Sequence, residues 1–136
     1  KELFLVTRQK RPYKGFWSLP SGRLLIGESL RAGAKRIMLE KYGLSIAVGE
    51  MRAVMYERLI EGDVTKHGFV FFLMDVTPVS ENQTPFFGKW FSPLRVPKNK
   101  TIASDYWLIA HKRHSHAEVV EEEVSSRGKK MKIVTE

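Results

Sequence analysis

Apolar positions along this chain fall in short runs divided by polar, glycine- or proline-bearing stretches. Leu3-Phe-Leu-Val6 reads as a buried strand, and Phe16 to Leu19 as a short one ended by Pro20. Leu30, Ala34, Ile37, Met38 and Lys41 lie at helical spacing and predict a helix over Ser29 to Tyr42. Ser29 suits its N-cap, and Gly43 suits the left-handed position that closes it. Ser45 to Val48 and Ala53 to Leu59 read as two further strands, followed by the turn signal Glu61-Gly-Asp63. Gly68 to Val76 is the strongest strand, apolar on both faces and expected to be central. A polar loop over Pro78 to Pro85 leads to a strand over Lys89 to Leu94 and a solvated loop at Lys98 to Lys100. A second helix is expected over Ala103 to His114. Tyr106, Trp107, Ile109 and Ala110 give its apolar side, and Lys112, Arg113 and His114 suit its C-terminus. In the tail, Val120 and Val124 also fit a helix, but Ser125-Ser-Arg-Gly128 is a turn signal and a hairpin is preferred.

Strands alternating with two helices predict an α/β fold, and 136 residues suit one domain over 1–136 with a single core. No apolar run approaches the roughly 20 residues of a spanning helix, so no membrane partner is implied, and no signal peptide is visible. There is no cysteine, which removes disulfides, thiol nucleophiles and Cys-ligated metals and fits a cytoplasmic protein. The net charge of +8 favours anionic partners such as nucleotides, sugar nucleotides or RNA, and equally fits a protein that is simply basic. The basic loop Arg8 to Lys14 is the candidate RNA surface.

Gly22 to Leu44 organises the chain. Gly22, Glu28, Arg36, Met38, Glu40, Gly43 and Leu44 stand in the register G-x5-E-x7-R-x-U-x-E-x-x-G-U, where U is bulky and apolar. This resembles the box of the Nudix family of nucleoside-diphosphate hydrolases. Upstream, Gly15-Phe-Trp17-Ser-Leu-Pro20-Ser-Gly22 resembles the family's G-x-W-x-x-P-G-G lead-in, and Lys89-Trp90-Phe91-Ser-Pro-Leu94 its late strand. The resemblance reaches about His114. It implies a Nudix-type α/β/α sandwich with a mixed β-sheet and a cleft where the loops meet the box helix. It also implies a strand ahead of Leu3, which this sequence, starting within a strand and without Met, is expected to lack.

Two box positions depart from the pattern: Ile37 and Lys41 stand where the family has carboxylates. In the family, three carboxylates at helical positions i, i+3 and i+4 converge on Mg²⁺, which needs hard oxygen ligands in a near-octahedral array. Glu40 alone remains, so the resemblance implies a single Mg²⁺ or Mn²⁺ with Glu40 as its main ligand and Gln83 as a further candidate. The Lys41 ammonium repels a divalent cation and can meet a phosphate. Arg11-Pro-Tyr-Lys-Gly15-Phe-Trp17 and Asp63-Val-Thr65-Lys-His67 are similar to stretches of the GDP-mannose mannosyl hydrolases, a subgroup that also lacks the full carboxylate set. Their retained carboxylate matches Lys41 here, and their general-base His has no counterpart in Asn82-Gln83-Thr84-Pro85.

The candidate catalytic residues are therefore Glu40, Arg36 and His67, the last because imidazole exchanges protons near neutral pH. Arg8, Arg11, Trp17, Arg23 and Lys41 are candidates for substrate binding, since Arg forks match phosphate oxygens. Gly22, Glu28 and Gly43 shape the box. Each has a plainer reading: a helix-dipole carboxylate at Glu28, an i,i+4 pair at Arg36–Glu40, a core Trp17, solvated loop arginines and an exposed His67. Three functions stay open. One is hydrolysis of a nucleoside diphosphate derivative, in particular a sugar nucleotide. Another is an inactive domain binding nucleotide or RNA, and the third is a structural ribonucleoprotein subunit. A homodimer is compatible with each.

Overall fold

A computed structural model describes residues 2–11, 13–110, 116–124 and 128–135. The strands are β1 (Leu3–Thr7), β2 (Trp17–Ser18), β3 (Ile46–Glu61), β4 (Val64–Pro78), β5 (Lys89–Phe91), β6 (His116–Val124) and β7 (Gly128–Thr135). The helices are α1 (Leu30–Tyr42) and α2 (Ala103–Ala110). The α/β class holds. Its mixed sheet runs β4-β3-β6-β7, with β3 parallel to β6 and β6 antiparallel to β7. The remaining strands form a separate antiparallel sheet, β2-β1-β5. Two compact units result, one of residues 1–49 and 75–110 and one of 50–74 and 111–136.

The first unit carries most of the described core. Leu5 is fully buried and Leu44 is 1% exposed, with Phe4, Val6, Ile37, Met38, Tyr42, Ile46 and Val48 around them. Burying a side chain of this size stabilises by about 1.5–3 kcal/mol. β1 alternates its faces. Phe4 pairs with Trp90 across the strands and meets the Tyr42 ring edge-on at 6.1 Å, so this face receives α1. Leu3 pairs with Phe91 and Thr7 with Trp17, and the two partner rings, Phe91 and Trp17, pack edge to face at 4.8 Å on the other side.

Several local expectations change. The buried side of α1 is Gly33, Ile37, Met38 and Tyr42, and Lys41 is exposed, with its ammonium reaching out to the Ser21 carbonyl. β3 runs unbroken through Gly49, where two strands were expected. β4 is not buried on both faces: Phe69, Val70, Phe71 and Phe72 are all exposed by more than a third. It ends the strand order among the described residues, and an apolar run does not by itself make a strand central. β2 shrinks to two residues, and β5 stops at Phe91 before a tight 3-10 turn over Pro93–Arg95 that leaves Leu94 exposed. Lys98–Lys100 forms a second such turn. The β3–β4 turn falls at Gly62-Asp63, and the tail forms the preferred hairpin, from Ala117↔Thr135 to Val124↔Gly128. The expected helical residues 111–114 lie outside those described.

Candidate functional site

The lead-in is anchored first. Ile102 N–H donates to the Trp17 carbonyl at 2.9 Å, and Leu19 N–H donates to Asp105 Oδ2 at 3.0 Å, so the start of α2 holds β2 in place. The next peptide is clamped by α1. Tyr42 Oη accepts the Ser21 N–H at 3.1 Å and donates to the Ser21 carbonyl at 3.2 Å, and Lys41 Nζ donates to the same carbonyl at 2.7 Å. Burial raises the Tyr42 phenol above its ordinary pKa, against the opposing effect of the Ser21 hydrogen bond. Gly22 follows, pressed on Ile37: a Cβ there would stand 2.6 Å from Ile37 Cγ1. The requirement for glycine at this position is therefore steric.

The loop returns to the helix through Glu28. Its carboxylate accepts Arg36 Nε at 2.7 Å, Arg36 Nη2 at 2.9 Å and the Leu25 N–H at 3.1 Å. The Arg36 hydrogen bonds, then the Leu25 N–H, hold Glu28 below the usual carboxylate pKa. Arg36 Nη2 also donates to the Arg23 carbonyl at 2.7 Å, and Nη1 reaches Glu40 Oε2 at 3.3 Å. The arginine thus ties both arms of the loop to α1. Ser29 Oγ accepts the Ala32 N–H at 3.0 Å, and Gly43 at φ 71° closes the helix with its N–H on the Leu39 carbonyl. Gly22, Glu28, Arg36, Glu40, Lys41 and Gly43 are brought together in one piece of structure.

The other candidates are placed differently. Gln83 is engaged with backbone: its Oε1 accepts the Ser45 N–H at 2.6 Å, and its Nε2 donates to the Ser45 and Ser80 carbonyls. It staples a loop in place of offering its oxygen to a metal. Trp17 packs against Phe91. Arg11 and Arg23 are exposed, and the Arg8 backbone pairs with Gly15 and Phe16. His67 belongs to the second unit, exposed on β4 with its ring stacked on Phe69 at 6.0 Å. Tyr42 is the residue that sequence reasoning missed. A tyrosine on the buried side of a helix needs a partner for its hydroxyl, and that was the available signal.

The donor set does not fit a multi-carboxylate magnesium centre. Of the positions at i, i+3 and i+4, Ile37 is buried and apolar, Lys41 is cationic, and Glu40 faces Arg36 with 63% of its side chain exposed. Both Glu28 oxygens are taken by Arg36. Among the described residues no three His, Asp or Glu side chains are grouped to hold a metal ion.

The capped helix, the glycine loop and the arginine between them define a Nudix-type domain. The NUDIX domain family model matches residues 1–111, and the chain belongs to that family. Members of the family generally use divalent metal ions. Two solved structures are similar. The mutator MutT protein from Bacillus halodurans has a TM-score of 0.68 at 17% identity, over 97% of this chain and 89% of that one. A NUDIX hydrolase from Nitrosomonas europaea has 0.66 at 19%, over 90% of this chain and 72% of that one. At such identities the likeness is one of fold. No curated protein matches the sequence. No helix among the described residues is long and apolar enough to cross a membrane.

Proposed function

We propose that this chain is a Nudix-type hydrolase of a nucleoside diphosphate derivative, in particular a sugar nucleotide. The observation that carries the reading is the Glu28–Arg36 clamp, which keeps the box loop folded on α1 with both Glu28 oxygens engaged. A loop held in this way supports ordered binding, because its conformational cost is met on folding and not on association. Sugar-nucleotide chemistry is supported by the resemblance of Arg11 to Trp17 and of Asp63 to His67 to mannosyl hydrolases. In this reading Arg8, Arg11 and Arg23 meet phosphates, Glu40 serves the reaction, and Arg36 positions Glu40. No step is routed through a metal, since the donor set does not provide for one.

A second reading is favoured by one observation, the replacement of two box carboxylates by Ile37 and Lys41. It is a domain that binds a nucleotide or RNA without cleaving it, alone or within a ribonucleoprotein, and the net charge of +8 supports it. A panel of nucleoside-diphosphate derivatives, incubated with Mg²⁺, with Mn²⁺ and with EDTA and resolved by chromatography, separates the two. Turnover of a sugar nucleotide establishes the first. Binding without turnover across the panel overturns it.

A further inference from the structure

We propose that the box binds the diphosphate of its ligand directly through the Lys41 ammonium, a fixed protein cation in place of a divalent ion. The proposal rests on the reading that the ligand is a nucleoside diphosphate derivative. Three observations carry it. Lys41 is held: its Nζ donates to the Ser21 carbonyl at 2.7 Å and lies 5.7 Å from the centre of the Tyr42 ring. These two contacts fix a flexible four-carbon stem against the backbone that leads into Gly22. Next, an ammonium has three donors. One goes to Ser21, and among the described residues the other two meet no protein acceptor.

The third observation is the charge around it. Glu28 is neutralised by a two-pronged arginine, and Glu40 shares that arginine. Ile37 adds no charge and packs on Gly22. The carboxylates that would hold Lys41 as a partner, or draw a divalent cation beside it, are thus paired or missing. A divalent cation near Lys41 meets repulsion, while a diphosphate meets attraction and two donors.

The test uses the whole chain and two probes, inorganic pyrophosphate and ADP, titrated by calorimetry in EDTA and again in Mg²⁺. Wild type is expected to bind both probes in EDTA, with an affinity that Mg²⁺ changes by less than about threefold. Lys41→Met, which keeps the stem and removes the charge, is expected to weaken binding about tenfold or more, and Lys41→Arg to retain it. Because Lys41 is exposed, unchanged melting of both variants serves as the folding control. Binding that appears only with Mg²⁺, or equal binding by Lys41→Met, overturns the proposal and leaves the hydrolase reading standing. Failure to bind either probe under both conditions overturns the proposal, and turnover in the panel above then decides the hydrolase reading on its own.

Discussion

Arg36 closes on Glu28 with two prongs, Nε on one carboxylate oxygen at 2.7 Å and Nη2 on the other at 2.9 Å. Eight residues separate them, so the pair joins the loop to the middle of α1 and cannot be mere support within one helix face. The Arg36–Glu40 contact is longer and more exposed, and contacts of that kind contribute little. The box is held by the first pair.

The Glu28 pair gives stability a defined pH dependence. Its pKa is lowered in the folded chain, mainly by the Arg36 hydrogen bonds. The contribution is therefore present above the ordinary carboxylate range and is lost as pH falls through the folded value. Glu28→Gln is expected to melt lower than wild type at neutral pH, with the difference shrinking toward acid. Melting curves followed by circular dichroism across pH 2–8 check this, and a gap that stays constant with pH would contradict it.

Gly43 sits at φ 71°, and a Cβ there would also stand 2.8 Å from the Phe86 ring. Gly43→Ala is expected to cost about 1–2 kcal/mol for the left-handed backbone alone, a fall in Tm of roughly 4–10 °C. Gly43→Asn should cost less in backbone strain, since asparagine tolerates that region better. Equal losses in the two variants would assign the cost to Phe86 instead.

The caps of α1 were legible because Ser29 and Gly43 act on backbone within one turn, whereas the box register came from the resemblance and Arg36 was read with Glu40, not with Glu28, which lies across the loop. The strands were less so. Ser45 to Val48 and Ala53 to Leu59 read as two strands, yet β3 runs through both because cross-strand bonding outweighs local preference. The apolar run of β4 gave its strand character and not its exposure, which depends on what pairs beside it. Gln83 looked like a free ligand because nothing local announces its hydrogen bonds to Ser45, 38 residues away.

The same box should accept a metal once a carboxylate is restored. Lys41 is exposed, so Lys41→Glu loses its hydrogen bond to the Ser21 carbonyl but little packing, and places two acidic residues side by side next to the Gly22 loop. The variant is expected to gain about tenfold or more in Mn²⁺ affinity over wild type. Adding Ile37→Glu should raise it further at a cost in stability, since Ile37 is buried against Gly22. Calorimetric titration with Mn²⁺ reads both effects. No gain in either variant would mean that the loop, and not the missing charges, disfavours metal.

His67 offers the last test, because its structural and chemical roles separate. Its side chain is exposed on β4, and its ring stacks on Phe69, itself 44% exposed. Surface contacts of this kind contribute little, so His67→Ala is expected to shift stability by no more than about 0.5 kcal/mol. If the imidazole serves as acid or base in sugar-nucleotide cleavage, its loss should slow turnover by about 10²–10⁴-fold. His67→Phe provides the control, since it keeps a flat ring on Phe69 and cannot carry a proton. Both variants are expected to melt like wild type and to lose turnover together. Loss in the alanine variant with activity kept in the phenylalanine one would assign His67 a packing role, and full activity in both would remove it from the reaction.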